Sequence, residues 1–227
     1  MRKLFTNISF LFFVSSVHSQ QLAQVTFSGG IDLSYFSFMT DQNVLIRVSP
    51  DGKLLEWGIE VMSNRYVYYA PKLQPYMGRI EYYGQEVDSV FRGKVKSIGT
   101  CSLTYYGSHE QDDKPGKIKS IGRVLFDYYA SYEEKTLKGK IKFAGSQMLS
   151  YFTPYDDQAY RGKLKSIGST PITYYSSFED KLIRGKIKNI SGVSYTWYSS
   201  YERSDLRGAL KTGSYRQNIG SITYIIF

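Results

Sequence analysis

The amino-acid sequence repeats with a period of 23 residues, and this period constrains the fold more than any other feature. Glycine recurs in phase at six positions: Gly93, Gly116, Gly139, Gly162, Gly185 and Gly208. The neighbouring residues recur with it, as RGKVK, PGKIK, KGKIK, RGKLK, RGKIK and RGALK. A fixed period of this length is typical of arrays in which each unit is one supersecondary element stacked on its neighbours.

Each unit contains two segments with the alternating pattern of β-strands. In the copy around Gly185, the lysine-rich segment 183–191 predicts one strand and the tyrosine-rich segment 172–178 predicts the other. Strands of these lengths leave connections of about three and four residues, and connections this short require antiparallel neighbours. We therefore predict an all-β fold, an antiparallel meander of 23-residue β-hairpin repeats that forms an extended, curled or closed sheet. Its apolar face could close inward as a barrel, pack as two layers or remain on a curved single sheet.

The alternation also predicts two different faces of this sheet. One face is apolar, with Ile172, Tyr174 and Phe178 on it and Gly185 covered by neighbouring aromatic rings. The other face carries rows of lysine between aromatic rings, an arrangement suited to anionic polymers or sugars. The alternative is that these lysines only solvate the sheet. The candidate binding residues are Lys140, Lys142, Lys163, Lys165, Lys186, Lys188, Tyr129, Phe152 and Tyr175.

Three regions follow from the sequence. Residues 1–19 have the basic start, apolar centre and small cleavage residues of a signal peptide, the alternative being a short buried strand or helix. Residues 20–77 predict degenerate N-terminal hairpins that cap the array, with Pro50-Asp51-Gly52 as a turn between two strands. Residues 78–227 predict the repeat array, continuous with 20–77 as one domain.

The repeat unit resembles a known family. A 23-residue β-hairpin unit rich in glycine and aromatic residues resembles the MORN-type repeat, over roughly Gly78 to Phe227. The resemblance lies in the period and the hairpin form. It implies an elongated sheet that binds lipids or proteins, and it assigns no residue of this chain to a site.

Residue types that carry catalysis are scarce. Cys101 is the only cysteine, so no internal disulfide is expected. After the predicted cleavage His109 is the only histidine, and it occupies a position where other copies carry tyrosine or phenylalanine. No nucleophile, zinc, calcium or phosphate-binding motif occurs. We therefore predict no enzyme activity, no catalytic residue, no metal site, no cofactor and no nucleic-acid motif.

The formal net charge of +9 is compatible with an anionic partner, the alternative being that it only serves solubility. We expect a non-enzymatic protein exported to the periplasm, the cell surface or the medium, where it serves as a binding or scaffolding surface at a bacterial cell envelope. The candidate partners are an anionic polymer, a glycan, lipid headgroups or an envelope protein. The alternative function is a small outer-membrane β-barrel, and an enzyme comes third.

Overall fold

The computed structural model describes residues 20–61, 71–85, 87–111 and 113–227. The predicted signal peptide at 1–19 and a strand-like segment at Tyr66–Tyr69 lie outside these residues. Within the described part of the chain there is no helix long and apolar enough to cross a bilayer. The described strands are β1 Gln21–Ser28, β2 Asp32–Met39, β3 Leu45–Val48, β4 Leu54–Glu60, β5 Leu73–Gln74, β6 Ile80–Tyr82, β7 Val95–Ile98, β8 Cys101–Tyr105, β9 Ile118–Ile121, β10 Val124–Tyr128, β11 Ile141–Ala144, β12 Gln147–Tyr151, β13 Leu164–Ile167, β14 Thr170–Tyr174, β15 Ile187–Ile190, β16 Val193–Ser194, β17 Thr196–Trp197, β18 Leu210–Thr212, β19 Arg216–Ile219 and β20 Ile222–Ile226.

Two large sheets account for most of the strands. Strands β6 to β16 form an eleven-stranded antiparallel meander in sequence order, which we call the repeat sheet. A seven-stranded sheet, which we call the covering sheet, has the order β19-β20-β1-β2-β3-β4-β5. Its only parallel pair among the described strands joins β1 to β20. The predicted all-β antiparallel meander is confirmed, and the repeat sheet is open, with β6 and β16 at its edges.

One unit of the repeat sheet consists of two short strands, a tight turn and a long connection. Gly168-Ser169 joins β13 to β14, and Gly168 has the positive φ (53°) that the first position of a type II′ hairpin turn requires. Residues 175–186 join β14 to β15. The predicted connections of about three and four residues are wrong, because segment 183–186 folds into turns instead of extending the strand.

A β-bulge repeats where each long connection enters the next strand. Thr173 pairs with Asn189 and Tyr174 pairs with Ile187, so Lys188 is an extra residue on its strand. Ile187 and Ile190 are consequently both buried although they are three positions apart. Strict alternation would have placed them on opposite faces.

The repeated glycine lies in the long connection and not beneath aromatic rings. Gly162 and Gly185 have φ values of 70° and 75°, in the left-handed region that a β-carbon disfavours. A β-carbon on Gly162 would meet only the Lys140 ammonium group, at 3.4 Å. The expectation that rings cover this glycine is therefore wrong, and its backbone conformation explains the glycine instead.

The covering sheet packs on the apolar face of the repeat sheet. The two sheets contribute to one hydrophobic core, in which the Phe38 ring meets the Phe126 ring edge-on at 4.9 Å between centroids. Backbone hydrogen bonds join the layers as well, since the Ile141 N–H donates to the Pro50 carbonyl at 2.9 Å. Of the arrangements left open by the sequence, the apolar face adopts the two-layer packing.

Candidate functional site

The candidate lysines fall into two columns that run across the repeat sheet. The inner column follows the repeated glycine directly and contains Lys94, Lys117, Lys140, Lys163 and Lys186. The outer column lies two residues further along the chain and contains Lys96, Lys119, Lys142, Lys165 and Lys188, and Lys211 continues it on β18 of the adjoining two-stranded sheet β17-β18. The two columns have different surroundings, which decide how much charge each offers to a ligand.

Inner ammonium groups are bound within the fold. Four of the five donate to the carbonyl of the repeated glycine in the next unit. The distances are 2.7 Å from Lys94 to Gly116, 2.7 Å from Lys117 to Gly139, 2.5 Å from Lys140 to Gly162 and 2.9 Å from Lys163 to Gly185. Lys186 donates instead to the carbonyl of Gly29, between β1 and β2 of the covering sheet, at 2.6 Å. The inner column therefore connects hairpin to hairpin and, at its end, repeat sheet to covering sheet.

Aromatic rings complete the surroundings of the inner lysines. The inner ammonium groups lie 4.2–5.5 Å from the ring centroids of Tyr105, Tyr128, Tyr151, Tyr174 and Trp197. Burial lowers the pKa of Lys140, and burial together with the nearby charge of Lys163 lowers that of Lys186 to about 8. The structure thus places Lys140, Lys163 and Lys186 where their polar atoms already have partners.

The outer lysines are the bulged residues themselves. Lys142 lies between the paired residues Ile141 and Phe143, and Lys188 occupies the same place in a later unit. A bulge redirects the side chain of its extra residue. The five ammonium groups from Lys119 to Lys211 lie 5.4–5.5 Å from the ring centroids of Tyr106, Tyr129, Phe152, Tyr175 and Tyr198. The structure therefore brings Tyr129, Phe152 and Tyr175 together with Lys142, Lys165 and Lys188.

Some outer lysines pair with the acid that recurs in each long connection. Lys142 binds Glu133, and Lys211 binds Glu202 at 2.6 Å. Lys165 and Lys188 are exposed, and among the described residues neither forms an ion pair. Lys96 is likewise exposed and forms no ion pair among the described residues, so Lys96, Lys165 and Lys188 are the outer lysines with the most accessible positive charge.

The recurring acids also fix the start of each connection. The Asp156 carboxylate accepts a hydrogen bond from the Thr153 N–H at 2.6 Å, and the Glu202 carboxylate accepts one from the Ser199 N–H at 2.6 Å. The hydrogen bonds from the Thr153 N–H and hydroxyl, with a smaller contribution from the charge of Lys165, lower the pKa of Asp156. The connection beside the outer column is thus held in one conformation by its own side chains.

The rings beneath the outer lysines link neighbouring hairpins. The Tyr129 hydroxyl donates to the Leu149 carbonyl at 3.0 Å, and its ring meets the Tyr151 ring edge-on at 5.9 Å. Phe152 makes the same edge-on contact with Tyr174, at 6.0 Å. These rings are half-buried, so each offers only part of its surface to a ligand.

The described residues contain no group of three or more His, Cys, Asp or Glu side chains that could hold a metal ion. Cys101 is buried, and burial raises the pKa of its thiol to about 11. The thiol therefore stays protonated at neutral pH, whereas the thiolate is the nucleophile in cysteine chemistry.

The position that His109 shares with tyrosine or phenylalanine in other copies forms a third set of repeated side chains, whose exposure the sequence pattern does not show. Tyr132, Tyr155, Phe178 and Tyr201 recur every 23 residues and are strongly exposed, in the long connections. Their signal is an aromatic residue directly before the recurring acid in each copy. The expectation that Phe178 lies on the apolar face is wrong, because β14 ends at Tyr174 and Phe178 lies exposed in the connection that follows.

Comparison with known proteins gives no relative, since no protein-family model, curated protein sequence or solved structure matches the chain.

Proposed function

We propose that the protein is a non-enzymatic binding or scaffolding surface, exported to a bacterial cell envelope, and that its outer lysine column binds an anionic polymer such as an acidic glycan. The observation that carries this proposal is the exposure of Lys165 and Lys188 in a regular column whose aromatic neighbours are fixed by the fold.

The spacing of the outer column suits a ligand with repeated charges. Successive outer lysines belong to hairpins that are two strands apart, which corresponds to about 9–10 Å. A polymer with carboxylate or phosphate groups along its length can contact several of these lysines at once. Such binding gains from the release of several counterions and weakens steeply as salt is added.

The rest of the site is arranged before any ligand binds. Inner lysines and ring hydroxyls connect each hairpin to the next through backbone carbonyls, as with Lys163 on Gly185 and Tyr175 on Tyr195 (2.9 Å). A site that is already rigid loses less conformational entropy on binding. The outer column can therefore act as a fixed row of charges.

The MORN-type resemblance gives further support to a binding role. The repeat sheet is a meander of short hairpins, and sheets of that family bind lipids or proteins. Vesicles with anionic headgroups therefore belong among the test ligands.

Export itself rests on residues 1–19. The mature protein is expected to begin at Gln20, which an intact mass of material from the periplasmic or extracellular fraction would show. Recovery only by detergent extraction would instead favour the outer-membrane alternative.

Charge reversal of the outer column tests the ligand. The triple variant Lys142→Glu, Lys165→Glu, Lys188→Glu is expected to lose binding to alginate, to polygalacturonate and to phosphatidylglycerol vesicles, whichever of these the wild type binds. Reversal at the exposed Lys165 and Lys188 should alter stability by no more than about 0.5 kcal/mol each. Reversal at Lys142 also removes its ion pair with Glu133, which should lower the free energy of unfolding by about 1 kcal/mol more.

A matched control separates the column from net charge. Reversal at Lys53, Lys72 and Lys135, which are exposed and lie outside the column, makes the same change in total charge. The control should retain binding. Equal losses in both variants, or no binding by the wild type to any of these probes, would contradict the proposal.

A further inference from the structure

A row of exposed aromatic side chains lies along one end of the repeat sheet. The exposed fractions are 85% for Tyr132, 95% for Tyr155, 96% for Phe178 and 91% for Tyr201. Tyr132, Tyr155 and Phe178 lie in long connections of the repeat sheet, which in a meander occupy the same end. Tyr201 lies in the equivalent connection of the adjoining two-stranded sheet β17-β18, and His109 holds the equivalent position in an earlier unit. Large aromatic side chains kept in water at one repeated position contribute nothing to the core, and their faces are free to contact a ligand.

Hydrogen bonds between successive connections hold the row in place. The Asp157 carboxylate accepts from the Ser177 N–H at 3.1 Å and from its hydroxyl at 2.9 Å. The Asp180 carboxylate accepts from the Ser200 N–H at 3.0 Å and from its hydroxyl. Ser177 directly precedes Phe178, and Ser200 directly precedes Tyr201. These hydrogen bonds therefore fix the position of each ring relative to the preceding connection. Neighbouring rings are therefore held about 9–10 Å apart, the width of two strands.

The polar groups beside the rings carry both signs of charge. Phe178 and Tyr201 border a cleft that is also lined by Glu179, Asp180, Lys181, Arg184 and Ser200. Within the long connections, the segments 178–184 and 201–207 each contain two acidic and two basic residues. Charge attraction therefore favours neither a polyanion nor a polycation here. Carboxylates accept hydrogen bonds and guanidinium groups donate them, so both kinds of polar group can serve a ligand with many hydroxyls.

We propose that this aromatic row binds an extended neutral polysaccharide that runs across the hairpins, with sugar rings stacked on Tyr155, Phe178 and Tyr201. A sugar ring has an apolar C–H face and a rim of hydroxyl groups, which match an aromatic ring with charged groups around it. A lipid surface or a protein partner would use a continuous apolar patch, whereas charged side chains separate these rings. The inference rests on the proposed function only in taking the repeat sheet as a binding surface, because it uses different residues.

Affinity electrophoresis of the full mature chain in native gels tests the row. The gels contain hydroxyethylcellulose, galactomannan or arabinoxylan, at low and at high salt. The wild type is expected to be retarded by at least one of these polymers, and the retardation should persist at high salt. The triple variant Tyr155→Ala, Phe178→Ala, Tyr201→Ala should bind at least about tenfold more weakly, since buried aromatic contacts dominate binding energy.

Two controls keep the result specific. The double variant Leu125→Ala, Met148→Ala removes exposed apolar side chains (64% and 46%) from the strands, and it should be retarded like the wild type. The outer-column variant Lys142→Glu, Lys165→Glu, Lys188→Glu should also keep its retardation. If that variant also binds alginate like the wild type, the proposed function fails while the aromatic row stands.

Three outcomes would overturn the inference. The first is that the wild type passes unretarded through all three gels. The second is that the aromatic triple variant is retarded as strongly as the wild type. The third outcome is sedimentation with neutral phosphatidylcholine vesicles that depends on the three rings, without retardation by any polysaccharide, which would identify a lipid surface instead.

Discussion

Lys140 and Lys142 are two positions apart in one unit and have opposite electrostatic environments. Burial lowers the pKa of Lys140, whose ammonium group donates to the Gly162 carbonyl. The hydrogen bond to Glu133 raises the pKa of Lys142, which lies at the surface. The bulge at Lys142 causes this difference, because it changes the direction of one side chain relative to the other. Substitutions at Lys140 therefore test stability, and substitutions at Lys142 test binding.

The buried Lys186 makes stability depend on pH. Its pKa is about 8 in the folded protein against an ordinary value of 10.5, so unfolding takes up a proton between these pH values. The free energy of unfolding should therefore rise with pH in that window, whereas below pH 8 both states are charged and the cost of burial is fully present. We expect the wild type to gain about 2 kcal/mol relative to Lys186→Met between pH 8 and pH 10, measured by urea unfolding.

The comparison with Lys186→Met cancels the titration of other groups, including the tyrosines that begin to ionise near pH 10 in the unfolded chain. Parallel stability curves for the two proteins would show that Lys186 titrates at its ordinary pKa and that the ammonium group is not buried as the structure places it.

The hairpin element shows which features of the fold are readable from the sequence. The strand pair and the turn at Pro50-Asp51-Gly52 follow from local patterns, and the turn lies between β3 and β4 as predicted. The strand ends do not follow, because the left-handed Gly185 and the bulge at Lys188 are defined by hydrogen bonds to the partner strand. For the same reason, the alternation of lysine and aromatic residues could not show which lysine of each pair is buried.

Phe152 replaces a tyrosine that recurs at the start of the other long connections of the repeat sheet, and this exception provides a prediction. The tyrosine that starts each long connection donates to a carbonyl 20 residues later, as in Tyr83 to Leu103 at 2.9 Å and Tyr106 to Phe126 at 2.7 Å. Phe152 occupies this position without a hydroxyl, and the corresponding carbonyl belongs to Ile172. Phe152→Tyr should therefore raise the free energy of unfolding by about 0.5–1.5 kcal/mol, measured by urea denaturation.

The reciprocal variant is the control for this bond. Tyr129→Phe removes the donor to the Leu149 carbonyl and should lower the free energy of unfolding by a similar amount. If Phe152→Tyr were neutral or destabilising while Tyr129→Phe is destabilising, the unit around Phe152 would lack room for the hydroxyl.

At the scale of the whole molecule, the two ends of the described chain meet in the covering sheet. β1 pairs in parallel with β20, and the Phe227 N–H donates to the Phe27 carbonyl at 3.1 Å. No local pattern predicts this pairing, because it joins strands that are about 200 residues apart in sequence. Its consequence is that the covering sheet shares its core with the repeat sheet over much of the array.

This shared core predicts cooperative unfolding. Repeat arrays with only nearest-neighbour contacts can lose units one at a time, but here the loss of either sheet exposes the apolar face of the other.

The two tryptophans report on different layers, since Trp57 lies in β4 of the covering sheet and Trp197 lies at the end of the array, where its Nε1–H donates to the Ile187 carbonyl at 2.8 Å. In Trp57→Phe and in Trp197→Phe, the urea midpoint of the remaining tryptophan's fluorescence should coincide with that of far-UV circular dichroism. A fluorescence midpoint for Trp197 well below the circular dichroism midpoint would show that the end of the array opens independently of the covering sheet.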